Sequence, residues 1–155
     1  MAQKEKRQED KQTAPPGPVV LAINICDTVI RDESTKKVSL IGLFNVIGSS
    51  TFPCTHSSMH IYMALTGGHG NHEIEVKLVR VEDQQAVMVM RGPIEFANPL
   101  QVAEVNLRWE KVIFEKSGEY SVEVFCDGGS VPIGTRKFHV IEQGAVPPTL
   151  GSEAK

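Results

Sequence analysis

The chain has 155 residues, a formal net charge of −3 at pH 7, 41% hydrophobic and 23% charged residues. That length makes one domain, whose core buries roughly 70% of the surface its unfolded chain exposes, so neither disulfides nor a metal are needed as staples. The weakly acidic balance gives no electrostatic reason for a nucleic-acid or anionic-membrane partner. No apolar run reaches the ~18 residues of a membrane span.

Residues 1–18, MAQKEKRQEDKQTAPPGP, alternate charges and end in a Pro/Gly stretch. They cannot bury enough apolar surface to offset ordering and read as a disordered tail. The segment also lacks the apolar region of a secretory leader. Three cysteines, an odd number without tidy spacing, are not a disulfide framework. Together these features point to the cytoplasm and reduced thiols. The folded body is expected over 19–143, and 144–155 reads as a second flexible tail.

Within the body, period-two alternation recurs between turn signals, and no helical period is sustained. VVLAINIC (19–26) and VSLIGLFNVI (38–47) pair as a hairpin across DESTKK; the second is apolar on both parities, as expected of a central strand covered on both faces. SMHIYMAL (58–65) sets Met59, Ile61, Met63 and Leu65 on one side, and HEIEVKLVRVED (72–83) does the same with Ile74, Val76 and Leu78. QAVMVM (85–90), VAEVNLRWE (102–110), EYSVEVFC (119–126) and IGTRKFHVIE (133–142) follow. About eight strands at this spacing predict an all-β fold, an immunoglobulin-like antiparallel β-sandwich.

FEKSGEYSVEV (114–124) sharpens that expectation, because Gly-x-Tyr opens a strand in such sandwiches and the tyrosine hydroxyl bonds back to the preceding loop. Tyr120 is that residue here. Val122 stands where antibody-type domains carry a disulfide cysteine, and Cys126 falls on the inward parity, where a free thiol packs as a small hydrophobe.

Four of the five histidines, His56, His60, His69 and His72, lie within residues 52–76 together with Cys54. His56 and His60, four apart in one strand, sit roughly 13 Å apart and cannot share an ion. Cys54 and His56 face the same way, but two ligands do not make a site. If 58–65 and 72–78 form a hairpin, the apolar parity puts Met63 opposite Ile74 and Leu65 opposite His72, closed by Gly68-His69. His60 then points outward beside Tyr62, and His72 inward. A one-residue bulge, made easy by Gly67, Gly68 and Gly70, would overturn that register. The imidazoles read as solvated or capping groups, and zinc is expected to leave the melting temperature unchanged. A pH response is chemically available, but nothing in the pattern selects it.

Nucleophile elbow, P-loop, dinucleotide fingerprint and H-E-x-x-H are all missing. GGHG (67–70) and DGGS (127–130) lie between strands and read as turns. Glu73/Glu75 and Glu119/Glu123 fall on outward parities, a solvated face. Trp109 shares its parity with Val105 and Leu107 and reads as a core anchor. No catalytic, cofactor-binding or metal-ligating residue is therefore assigned, and no cofactor is expected.

CDTVIRDESTKKVSLIGLFNVI (26–47), FP followed by His56, LTGGHG (65–70), GPIEF (92–96) and FEKSGEY through RKFHVI (114–141) resemble an uncharacterised bacterial family of small single-domain proteins, a domain of unknown function. The resemblance covers nearly the whole body without the tails. It implies a sandwich-like β domain and supplies no activity to transfer. The reading is a non-enzymatic, cytoplasmic protein-binding or assembly module, with an unspecified protein partner and self-association included. The alternative is a small-ligand or carbohydrate-binding sandwich, with Tyr62 the nearest thing to a surface site.

Overall fold

The computed structural model describes residues 17–144; the expected tails lie outside the described residues apart from their innermost positions. Nine strands follow in order: β1 (Val19–Arg31), β2 (Val38–Leu43), β3 (Val46–Ser49), β4 (Cys54–Thr66), β5 (Gly70–Arg80), β6 (Ala86–Phe96), β7 (Ala103–Phe114), β8 (Gly118–Cys126) and β9 (Gly134–Glu142). They form an all-β sandwich. Sheet A has the order β2-β1-β4-β7 and sheet B the order β3-β9-β8-β5-β6.

The alternating side chains close the space between the sheets. Met59, Ile61, Met63 and Leu65 of β4 are fully buried, and across from them lie Ile74, Val76 and Leu78 of β5 with Val122 and Val124 of β8. Trp109 is 1% exposed and belongs to this core, as its parity predicts. Tyr120 is also buried, and its hydroxyl donates to the Lys116 carbonyl at 2.7 Å, the back-bond expected at that strand entrance.

Three expectations about pairing are corrected. The predicted hairpin of 58–65 with 72–78 does not form: β4 pairs with β1 and β7, whereas β5 pairs with β6 and β8. The apolar parities that seemed to set a register instead face each other across the core. Gly67–His69 carries the chain from one sheet to the other, and Gly68 sits so close to Phe96 that an added Cβ would lie 2.4 Å from the ring. VSLIGLFNVI is not one central strand. It breaks after Leu43, and the two halves serve different sheets: the Phe44 amide still donates to Ile25 of β1, while the Asn45 carbonyl accepts from His139 of β9. β2 is consequently an exposed edge. The sandwich is also not wholly antiparallel, because β3 runs parallel to β9.

β1 and β2 form an arm of their own. The β1–β4 ladder stops at Cys26 opposite His60, while β1 stays paired with β2 as far as Arg31 opposite Val38. The Arg31 guanidinium lies 2.9 Å from Glu104 of β7, which pairs with Ala64. A straight β1 would hold those two residues roughly 30 Å apart along the strand direction. The arm therefore folds back over the outer face of sheet A, and Cys26, on that face beside His60, has no exposed surface. At its tip Asp32 Oδ1 accepts from the Ser34 amide (2.9 Å), the Ser34 hydroxyl (2.7 Å) and the Thr35 amide (2.7 Å).

Candidate functional site

Three side chains of different chemistry meet at one end of sheet B. His72 lies near the start of β5, Cys126 ends β8, and Asp127 begins the connection to β9. Ile74 is opposite Cys126, so the end of β8 runs beside the start of β5. In a continuing strand, Cys126 and Asp127 would point to opposite faces. Asp127 instead has a left-handed backbone (φ 49°), followed by Gly128 at φ 70°, a conformation aspartate tolerates better than most residues. This turn brings the carboxylate round to the ring that the thiol also faces. Asp127 Oδ2 is 2.7 Å from His72 Nδ1 and Cys126 Sγ is 3.9 Å from the same nitrogen. The three donor atoms lie within 4.8 Å of one another.

Each donor is held from behind. His72 Nε2 donates to the His69 carbonyl oxygen at 3.1 Å, and the Phe96 ring stands edge-on to the imidazole at 6.0 Å. Asp127 Oδ1 accepts from the Glu73 amide at 2.9 Å, and the Asp127 amide donates to the Glu73 carbonyl at 2.8 Å. A carbonyl oxygen only accepts, so Nε2 carries the hydrogen, and Nδ1 of a neutral ring is left with a lone pair aimed at a carboxylate. A proton or a cation at Nδ1 makes that contact attractive.

The bond from His72 and then that from the Glu73 amide hold the Asp127 carboxyl below the usual carboxylate range. Burial, followed by the neighbouring Asp127, pushes the Cys126 thiol up to about 11. A thiol kept protonated is a weak nucleophile. Moreover, a thiol–imidazole–carboxylate relay needs its outer members on opposite ring nitrogens, whereas both address Nδ1 here. The arrangement brings three side-chain ligand atoms of different kinds to one place.

The imidazoles of His56, His60 and His69 take no part in it. His60 lies on the outer face of sheet A, with Nδ1 3.0 Å from Asn106 Oδ1. His56 packs its ring against Phe44 at 5.6 Å, with Nε2 buried and unpartnered, and His69 is exposed in the inter-sheet connection. His60 and His72 do face different ways, as expected, but because they belong to different sheets. Parity reasoning missed the actual trio, since alternation carries Asp127 away from Cys126. The one available signal was DGGS directly after Cys126, a composition that favours left-handed turns.

Tyr62, the candidate surface residue, donates to Glu104 at 2.6 Å, and Glu104 also holds Arg31 of the arm. Burial, then that bond, pushes the Tyr62 phenol up to about 12. On the open side of the sandwich, β6 and β7 leave an apolar groove of about 160 Å³ bordered by Met90, Ile94, Val105 and Leu107. Arg80 is buried and bonds to the exposed Asp83 and Gln85 at the β5–β6 turn, where it ties the turn together.

Among the described residues, no helix is long and apolar enough to cross a membrane. A model for a family of unknown function, DUF6941, matches residues 21–141. No curated protein matches the chain in sequence. Among solved structures, the chain is similar to a Bifidobacterium dentium β-glucuronidase complexed with coumarin-3-O-glucuronide, at 16% identity and a TM-score of 0.39. The match covers 81% of this chain and 18% of the enzyme chain, so this chain spans a small part of that protein's length.

Proposed function

From the premise that the chain belongs to DUF6941, a family of unknown function, we propose that it is a non-enzymatic assembly module that joins a second copy of itself along the edge strand β2. The observation that carries this reading is the character of that edge. β2 has the sequence VSLIGL, without a charge or a proline, and is mostly exposed. Sheet edges are normally guarded against pairing by charges, prolines or short length. The other edges follow that practice: β6 contains Arg91, Pro93 and Glu95, β7 carries Glu104, Arg108, Glu110 and Lys111, and β3 has only four residues.

The register of the arm puts Ile30, Ile41 and Leu43 on one face. These three side chains are 49%, 50% and 61% exposed, a compact apolar surface beside the free edge. Antiparallel pairing of two β2 strands about a two-fold axis is self-complementary. With Ile41 of one copy opposite Ile41 of the other, Leu43 meets Ser39 and Lys37 meets Asn45, so no like charges oppose each other.

The small-ligand or carbohydrate reading has less support, since the Tyr62 hydroxyl is engaged by Glu104. Sedimentation of the full chain over a concentration series tests the proposal. We expect a reversible dimer that Ile41→Lys converts to a monomer with an unchanged circular dichroism spectrum. A wild-type chain that remains monomeric throughout, or an Ile41→Lys chain that dimerises equally well, overturns it.

A further inference from the structure

We infer that His72, Cys126 and Asp127 form a binding site for a divalent transition ion of the zinc class, open to solvent on the fourth side. This reverses the expectation drawn from the histidine pattern alone, and it is independent of the β2 edge.

The donor set is the first argument. One thiol, one imidazole and one carboxylate suit zinc, cobalt(II) or nickel(II), whereas magnesium and calcium take oxygen donors. Tetrahedral zinc, with bonds of about 2.0–2.3 Å, separates its ligand atoms by roughly 3.3–3.8 Å. The separations of 2.7 Å (Asp127 to His72) and 3.9 Å (Cys126 to His72) bracket that range. Shifts within side-chain reach would seat an ion.

The second argument is the layer behind the donors. Metal-ligating imidazoles almost always give their other N–H to a carbonyl or carboxylate, and ligating carboxylates are themselves hydrogen-bonded. Here Nε2 is tied to the His69 carbonyl, and the far oxygen of Asp127 to the Glu73 amide. Both bonds aim Nδ1 and Oδ2 at each other, 2.7 Å apart in a hydrogen-bonded pair whose shared proton an ion would replace.

Access agrees. The Asp127 side chain is 54% exposed while His72 is 16% exposed, so an ion can enter past the carboxylate and meet a ring fixed in the wall. Binding replaces the Cys126 S–H bond with a sulfur–metal bond and releases that proton to solvent.

The test uses the full chain, freed of metal by chelation, with cobalt(II) and zinc alone as probes. One cobalt(II) should bind per chain with a thiolate-to-metal charge-transfer band, and zinc should bleach that band and raise the melting temperature. Cys126→Ser should abolish the band. His72→Gln and Asp127→Asn should each weaken zinc at least about tenfold, the scale on which even supporting groups of metal sites matter; His60→Ala should leave binding unchanged. In the unmutated chain, zinc should protect Cys126 from alkylation under conditions where the chain stays folded. The proposal is overturned by absence of the band, by its persistence in Cys126→Ser, by unchanged zinc affinity in His72→Gln, or by equal alkylation of Cys126 with and without zinc.

Discussion

Tyr120 links local sequence to packing. Its ring sits edge-on to Phe114 at 4.9 Å and stacked near Phe138 at 5.9 Å, while its hydroxyl reaches back to the Lys116 carbonyl. Tyr120→Phe keeps the ring and removes that bond together with the hydroxyl's contact to Arg80; a single such bond contributes about 1 kcal/mol net. Urea unfolding should show a loss of that order with an unchanged denaturant slope; an unchanged midpoint would mean the bond contributes nothing. Asp127 makes the contrasting case. One left-handed residue after a strand turns a side chain through to the opposite face, and a two-residue periodicity cannot register that change. Tyr120 was legible because its motif and its strand agree, and Asp127 was not, because its backbone departs from the strand.

The arm of β1 and β2 shows where elements were and were not readable. Its turn chemistry, DESTKK, was plain, and the hairpin forms there. The bonds from Ser34 and Thr35 lower the Asp32 carboxyl to about 2. A depressed carboxyl contributes stability that is present above its unfolded value, near 4, and is lost as pH falls through about 2. The arm tip should accordingly loosen before the body does. Protection of the Ser34 and Thr35 amides, relative to their intrinsic exchange at each pH, should fall between about pH 4 and 2 while the core amides stay protected, and Asp32→Ala should show the lower protection already at neutral pH. If the tip and the core lose protection together, Asp32 is not acting locally. The apolar run 38–47 defeated the reading for a different reason. A stretch apolar on both parities fits a strand buried on two faces, but it equally fits a chain that serves one sheet with its first half and the other sheet with its second. Likewise, β4 and β5 alternate so cleanly that neighbours in a sheet and partners across a core give the same pattern.

At the scale of the molecule, the existence of strands and the core side chains were in the sequence, while the sheet to which each strand belongs was not. Sheet membership depends on contacts between distant residues, and β9 is the extreme case. It holds both β3, through the pairs Val46–His139 to Ser49–Glu142, and β8. A chain ending at residue 133 loses both ladders at once and exposes Phe138's partners Phe114 and Tyr120. We expect it to show no cooperative urea transition; a sharp one would mean that sheet B closes without its second strand. There is also a consequence in time. β3 leaves the ribosome long before the strand it needs, and at about 5–20 residues per second the wait for His139 is on the order of 5–20 s. During that interval Val46 to Ser49 have no ladder to join, whereas β2 directly before them already has β1 as its partner. A nascent chain of this protein thus holds the β1–β2 arm complete while the four residues that lead from it into sheet B wait for most of the remaining synthesis.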